Sequence, residues 1–239
     1  MTSLDLTGVR AVLFDAVGTV VFPRPPVAAA YAQTAERFGP RVAEDEVERR
    51  FRAAFSRQEE IDEKNDWRTG EPRERGRWRA IVAEVFPDAA DGEGLFDALW
   101  RHFADPAHWA VFDDVADCWR RLKERGLVVG LASNFDGRLE GIVRGLRPLA
   151  GCAHVFTSSG LGCRKPGRAF FACIAAALQL PPREIVLVGD DFDNDFLGAQ
   201  RAGWRAALLD RRERSVPAPS GMPVLAGLAG FDAGTKARA

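Results

Sequence analysis

Apolar residues follow two different patterns along this chain, and each pattern predicts a different kind of secondary structure. Short runs that are apolar at almost every position predict strands buried on both faces; these runs are 10–14, 127–133, 154–158, 184–190 and 205–209. Stretches between the later runs carry apolar residues at helical spacing and predict helices, one through Trp119 and Leu122 to Gly126 and others near 137–146, 168–179 and 194–202. Strands that alternate with helices in this way predict a doubly wound α/β core, a Rossmann-like parallel sheet covered on both sides.

A long segment after the first strand lacks the strand pattern. It is rich in charge, and its apolar residues recur at helical spacing, as in EDEVERRFRAAFSRQEE (44–60). We expect an all-helical domain over residues 23–106, inserted after strand one between two parts of the α/β core, 1–22 and 107–239. The tail from Ser215 contains several prolines and predicts a loop with a short terminal helix.

Charge and composition exclude several classes of partner. The formal net charge of the 239 residues is −1, so we expect no binding to nucleic acid or to an anionic membrane. No apolar run approaches about 18 residues and no secretory leader precedes the first strand, so we expect a cytoplasmic protein. The four cysteines lack zinc-like spacing and are expected to be reduced thiols. We expect a monomer or a homodimer.

Polar side chains collect where the predicted strands end. The first strand is followed by Asp15, and the second ends in Ser133 and Asn134. Lys165 comes just before a predicted helix. The strand 184–190 is followed by an acidic cluster: Asp190, Asp191, Asp193, Asn194 and Asp195. Taken singly, each of these residues is typical of a turn or a helix cap.

Taken together, the same residues predict a binding site, because the carboxyl ends of parallel strands meet at one edge of a sheet. The acids would repel one another unless a cation lay among them, and their oxygens suit Mg²⁺. Lys165 and the Ser133 hydroxyl would then bind the oxygens of a phosphoryl group. Gly18 allows the chain to turn tightly around such a ligand.

The order of these signals resembles that of the haloacid dehalogenase superfamily, in the subfamily with a helical cap. FDAVGT (14–19) is similar to its first motif and LASN (131–134) to its second. RKP (164–166) resembles the third motif and GDDFDND (189–195) the fourth. The resemblance extends over nearly the whole chain to about residue 210.

The resemblance implies a role for each residue of the predicted site. Asp15 would be the nucleophile, with Lys165 as the second catalytic residue. The phosphate-binding residues would be Ser133, Asn134, Lys165 and Gly18. Mg²⁺ would be bound by Asp15, the backbone carbonyl of Val17, and Asp190, with Asp191, Asn194 and Asp195 supporting them. The implied reaction is Mg²⁺-dependent hydrolysis of a small phosphorylated metabolite through an aspartyl-phosphate intermediate.

Val17 departs from the pattern of the family's phosphatases, which have a second Asp at this position. That Asp protonates the departing alcohol and later activates water, and valine does neither. Losing a positioned general acid–base costs about 10²–10⁴-fold in rate, so we expect weak or unusual acid–base chemistry. Asp136 and the helical domain are possible sources of another acid.

Three alternatives stay open at this point. Dehalogenases of the superfamily also lack the second Asp, but they have lost the metal-binding acids that this chain retains. Phosphonate hydrolases need a lysine from the inserted domain, and Lys64 has acidic neighbours that would raise its pKa and disfavour nucleophilic chemistry. A non-catalytic scaffold that binds metal and phosphate is the third.

Within the arginine-rich segment 67–79 we expect mostly a solvated helix face, with one or two arginines available to an anionic substrate.

Overall fold

A six-stranded parallel sheet lies at the centre of the computed structural model, which describes residues 5–211, 222–229 and 231. The strands in chain order are β1 (Ala11–Phe14), β2 (Val21–Pro23), β3 (Trp109–Val111), β4 (Val128–Ser133), β5 (His154–Thr157), β6 (Ile185–Gly189), β7 (Arg205–Leu209) and β8 (Val224–Leu225). The order in the sheet is β5-β4-β1-β6-β7-β8. The chain adds β4 and β5 on one side of β1 and the later strands on the other. Ligands bind at such a switch in strand order.

Strand β1 shows why the strand sequences lack an alternation of polar and apolar residues. All four of its side chains are fully buried. Val12 and Phe14 belong to the hydrophobic core on one face of the sheet, and Ala11 and Leu13 to the core on the other. Because both faces are covered, every position has to be apolar. The predicted doubly wound α/β core is confirmed.

Helices account for most of the remaining described residues. The α-helices are α1 (Val27–Ala35), α2 (Glu44–Lys64), α3 (Glu71–Val85), α4 (Gly92–His102), α5 (Val115–Glu124), α6 (Arg138–Gly145), α7 (Ser158–Leu161), α8 (Arg168–Leu178) and α9 (Gly198–Arg201). Short 3-10 helices cover Glu36–Phe38, Pro106–His108, Arg147–Leu149 and Pro182–Glu184, and a π-helical segment covers Phe192–Leu197. Helices α1–α4 make up the helical domain and pack around their own apolar core, which includes Tyr31, Ile81 and Phe96.

A two-stranded antiparallel ribbon connects the helical domain to the α/β core. Strand β2 enters the domain and β3 leaves it, with Val21 paired to Val111 and Pro23 to Trp109. The predicted domain boundary at 22/23 falls within β2, and the one at 106/107 falls just before β3. Sequence analysis did not predict this ribbon, because three-residue strands are too short to show a pattern.

Two other features differ from the sequence expectation. The predicted helix near 194–202 begins as the π-helical segment and becomes α-helical only at Gly198. Strand β8 was not predicted, and the terminal helix expected in the tail lies outside the described residues. In the part of the chain that the structure describes, no helix is long and apolar enough to cross a membrane.

Candidate active site

Asp15 and Asp190 follow two adjacent strands at the same edge of the sheet. Phe14 of β1 is in register with Val188 of β6, and the Asp15 backbone N–H donates to the Val188 carbonyl at 2.8 Å. The Thr19 hydroxyl donates to Oδ1 of Asp190 at 3.3 Å. The strand pairing therefore brings together two carboxylates that are far apart in the sequence.

Gly18 is required by the close approach of its backbone to Asp190. Its φ of +87° is in the left-handed region. A Cβ at this position would lie 2.6 Å from Asp190 Oδ2. The positive φ makes a side chain here unfavourable, and the Asp190 carboxylate would have to move to admit one. The structure therefore gives Gly18 a place beside the acidic cluster.

The segment after β6 brings a third carboxylate into the site. Asp191 accepts hydrogen bonds from the backbone N–H groups of Asp193 and Asn194, at 2.9 and 2.8 Å, and thereby caps the π-helical segment. The first turn of this segment carries Asp195, whose Oδ2 accepts from the Asp191 backbone N–H at 3.1 Å. A Cβ on Gly189 would overlap the Asp195 carboxylate. The glycine that ends β6 thus makes room for this side chain.

Lys165 lies between two of the three carboxylates. Its Nζ donates to Asp15 Oδ1 at 2.7 Å, to Asp195 Oδ1 at 2.5 Å and to the Ala132 carbonyl at 3.0 Å. Burial alone would lower the pKa of Lys165, but the two carboxylates more than offset this, so its pKa is raised and the ammonium stays protonated. Burial raises the pKa of Asp195 to about 7, against the opposing effect of Lys165.

Asn134, which follows β4, holds in position the loop that carries Lys165 (residues 162–167, here the lysine loop). The Asn134 side chain donates from Nδ2 to the Lys165 carbonyl at 2.9 Å and accepts from the Lys165 backbone N–H at 2.8 Å. These two bonds give Asn134 a positioning role, while its binding to phosphate stays a prediction. Ser133 is buried beside it, and its hydroxyl makes no hydrogen bond within the described residues. Its hydroxyl is therefore available to a ligand.

The donor set of the site fits a hard divalent cation. Asp15, Asp190 and Asp195 each offer one carboxylate oxygen, and these three atoms lie within 4.8 Å of one another. Carboxylate oxygens are the ligands that Mg²⁺ prefers. Sequence analysis assigned Asp195 a supporting place, and here it joins the same cluster as the two predicted ligands. Val17 lines the cavity in the turn after β1, and coordination by its carbonyl stays a prediction.

A cavity of about 380 Å³ opens over these residues, between them and the helical domain. Glu59 and Phe55 of α2 and Arg77 and Trp78 of α3 contribute to its wall. Burial raises the pKa of Glu59, although nearby arginines oppose the shift. Sequence analysis did not single out Glu59, because the adjoining acids of α2 give it no distinguishing pattern.

The helical domain is joined to the lysine loop by backbone contacts. The Arg164 backbone N–H donates to the Trp67 carbonyl at 2.9 Å, and the Thr69 N–H donates to the Gly162 carbonyl at 3.1 Å. Glu71 accepts at one oxygen from the Ser159 hydroxyl, at 2.5 Å. The segment between α2 and α3 therefore docks directly against the loop that carries Lys165.

A buried ion cluster reinforces this junction. Asp62 of α2 is fully buried and accepts from Arg73, Arg77 and Arg164, the last at 2.6 Å. Arg77 and Arg164 are 1% and 3% exposed. The expectation of a solvated arginine face was wrong for Arg77, which is buried by this carboxylate, whereas Arg75 pairs with Asp97 at the surface.

Asp136 does not offer a proton to the site. Arg138 donates to both of its oxygens, from Nε and from Nη2, at 2.7 Å each. Asp136 is fully buried, and it is not among the residues that line the cavity. A carboxylate held in such a two-point ion pair is a structural group rather than a proton donor.

The residues above define a hydrolase site on a doubly wound core, and comparison with known proteins identifies the family. The model of the haloacid dehalogenase-like hydrolase family matches residues 9–203. The chain belongs to this family. A relative from Danio rerio, haloacid dehalogenase-like hydrolase domain-containing protein 3, is 30% identical over 210 residues, which cover 86% of each chain.

Solved structures with the same fold belong to proteins with different activities. An L-2-haloacid dehalogenase from Xanthobacter autotrophicus superposes with a TM-score of 0.72 at 17% identity, covering 93% of this chain and 96% of that one. A phosphatase of the family from Thermococcus onnurineus gives a TM-score of 0.64 at 21% identity, with coverage of 93% and 96%. Both reactions are supported by this fold, so the reaction has to be argued from the site.

Proposed function

We propose that this protein is a Mg²⁺-dependent phosphohydrolase that acts on a small phosphorylated metabolite through an aspartyl-phosphate intermediate. One observation carries the proposal. The Asp15 carboxylate accepts from the Lys165 ammonium and lies beside the carboxylates of Asp190 and Asp195, at the floor of a cavity. This arrangement suits a nucleophile that attacks a doubly negative phosphoryl group.

The residues of the chain divide the chemistry between them. A carboxylate oxygen of Asp15 forms a bond to phosphorus while the bond to the leaving oxygen breaks. Lys165 and the Ser133 hydroxyl hold the phosphoryl oxygens as charge moves to the leaving group. Water then cleaves the aspartyl phosphate, releases inorganic phosphate and restores Asp15. Mg²⁺, held by Asp15 and Asp190, would neutralise phosphoryl charge.

Val17 limits how fast this chemistry proceeds with an ordinary alcohol as leaving group. The position after Ala16 offers no side-chain proton, and the missing general acid corresponds to about 10²–10⁴-fold in rate. This is roughly 3–5 kcal/mol of activation free energy. The proposed enzyme is therefore slow toward alkyl phosphates or selective for substrates whose leaving group needs no proton.

The same experiments test two alternatives to the phosphohydrolase function. Hydrolysis of a 2-haloacid is favoured by Val17, because halide leaves without a proton, and opposed by the acidic cluster that the chain retains. A scaffold without turnover is the other. For a family hydrolase of either kind, Asp15 is the nucleophile, so Asp15→Asn is the common negative control.

The test measures phosphate release from a panel of phosphorylated metabolites and halide release from 2-haloacids, each with and without Mg²⁺. We expect phosphate release that requires Mg²⁺ and is lost in Asp15→Asn and in Asp190→Asn. Halide release that survives Asp190→Asn would instead identify a dehalogenase. As a check on the scaffold alternative, beryllium or aluminium fluoride with Mg²⁺ should raise the melting temperature of the wild type and not of Asp15→Asn.

A further inference from the structure

A second cavity, of about 260 Å³, adjoins the candidate active site. Val17, Phe55, Trp78 and Asn134 line both cavities, so the two cavities meet at these residues. The position at which the family's phosphatases have their second Asp is thus part of the wall of an apolar chamber. Val17, the residue that differs from the family's phosphatases, therefore also borders the chamber.

The chamber is lined mainly by aromatic side chains from both parts of the molecule. The helical domain contributes Tyr31, Phe51, Phe96 and Trp100, and the α/β core contributes Trp109 and Phe135. Flat side chains from two domains enclose a space that suits a flat apolar group. An engineered apolar cavity of about 150 Å³ binds benzene, so this one has room for a ring system.

The polar groups of the chamber are few. The Arg138 guanidinium is held by Asp136, donates to the Trp100 carbonyl at 3.3 Å and lies 3.5 Å from the centre of the Trp100 ring. Its charge is therefore compensated within the protein. Tyr31 is 2% exposed, and its hydroxyl makes no hydrogen bond within the described residues. Because Tyr31 lines the chamber, its hydroxyl can bond to a polar substituent of a ligand there.

We propose that this chamber binds the leaving group of the substrate and that the substrate is a phosphate monoester of a phenolic, aromatic alcohol. The proposal rests on the phosphohydrolase function proposed above. The phosphoryl group would occupy the cavity over Asp15, and the aromatic ring would extend past Val17 into the chamber. The aromatic lining favours a ring, and Tyr31 offers one hydrogen bond to a ring substituent.

An aromatic alcohol also removes the need for the missing acid in the first step, in which the alcohol departs. A phenol has a pKa of about 10, as in tyrosine, so a phenolate leaves far more readily than an alkoxide. The Asp15 oxygen forms its bond to phosphorus as the bond from phosphorus to the aryl oxygen breaks, and the electron pair stays on that oxygen. The phenolate takes a proton from solvent after release. Water then cleaves the aspartyl phosphate, and the proton it loses passes to solvent.

The kinetic test compares esters that differ only in the leaving group. With Mg²⁺ present, kcat/KM is measured for 2-naphthyl phosphate, n-octyl phosphate, glycerol phosphate and acetyl phosphate. We expect 2-naphthyl phosphate to exceed glycerol phosphate by about 100-fold or more, which combines apolar burial with a better leaving group. An equal or higher value for n-octyl phosphate would overturn the aromatic assignment in favour of an aliphatic chain.

A binding test keeps this proposal separate from the proposed function. We expect 2-naphthol to bind the wild type, as followed by tryptophan fluorescence and calorimetry, and to compete with 2-naphthyl phosphate. Val27→Phe places a larger side chain on the chamber wall and should weaken both naphthol binding and naphthyl phosphate hydrolysis by about 10-fold. The ratio of kcat/KM for 2-naphthyl phosphate to that for acetyl phosphate, which has no ring, should therefore fall. Val42→Phe is the matched control, because Val42 packs against the same core without lining the chamber.

Each outcome separates the two proposals. Hydrolysis of acetyl phosphate without naphthol binding or preference for the naphthyl ester would overturn the chamber assignment and leave the phosphohydrolase in place. Naphthol binding without hydrolysis of any phosphate ester would overturn the phosphohydrolase and, with it, the assignment of a leaving group. If Val27→Phe does not fold, the naphthol measurements on the wild type still decide the question.

Discussion

Replacing Asp62 with asparagine should destabilise the protein far more than a surface substitution of the same kind. Asp62 is fully buried and is shared by three arginines, two of which are almost fully buried themselves. In Asp62→Asn the amide keeps the shape of the side chain but loses its charge. The substitution leaves Arg77 and Arg164 as buried cations with less negative charge beside them. Breaking a buried ion pair in this way costs about 3–5 kcal/mol.

The assay is urea unfolding at neutral pH, followed by tryptophan fluorescence. Asp97→Asn is the matched control, since Asp97 pairs with Arg75 at the surface of the same domain and should change the free energy of unfolding by about 1 kcal/mol or less. A loss below about 1 kcal/mol in Asp62→Asn would refute the reasoning. Combining Asp62→Asn with Arg164→Met should show a coupling free energy of about 0.5–3 kcal/mol, because this pair joins the helical domain to the lysine loop.

Three further outcomes are expected. Val17→Asp should raise Mg²⁺-dependent hydrolysis of alkyl phosphates by about 10²–10⁴-fold in a phosphate-release assay; no gain with the fold intact would mean that another group donates the proton. Gly18→Ala should lower the free energy of unfolding by about 1–3 kcal/mol and abolish the fluoride-induced rise in melting temperature, because its Cβ would meet Asp190. Burial and the stacked His108 ring lower the pKa of His102 from 6.5. The unfolded chain therefore binds more protons, so stability should fall as pH drops below 6.5, and His102→Phe should reduce that slope in urea titrations.

The convergence of the site residues could be predicted because it follows from topology. A run that is apolar at every position has to be a strand covered on both faces, and parallel strands end at one edge of their sheet. Asp15 and Asp190 follow such strands, so their meeting needed no knowledge of side-chain packing. The same reasoning extended to Ser133, which ends the neighbouring strand β4.

The buried charges of the helical domain could not be predicted in this way. Asp62 and Arg164 are 102 residues apart, and Asp62 lies in a charged stretch that is typical of a solvated surface. The spacing within α3 does indicate which arginines are buried. Arg73 and Arg77 lie four residues apart and in line with the buried Ile81, which places them on the inner face of α3. A charge becomes buried only when its partners meet, and those partners come from another part of the chain.

The position of Val17 in the fold adds to what its place in the first motif indicates. In the first motif this residue indicates a missing proton donor, which favours a weakened enzyme and leaves a scaffold as an alternative. In the fold, the same side chain lines both an acidic, lysine-containing cavity and a chamber lined with aromatic rings. A carboxylate at this position would sit against that apolar chamber, where its desolvation is unfavourable. The substitution is therefore consistent with a site reshaped for an apolar leaving group rather than with one that has decayed.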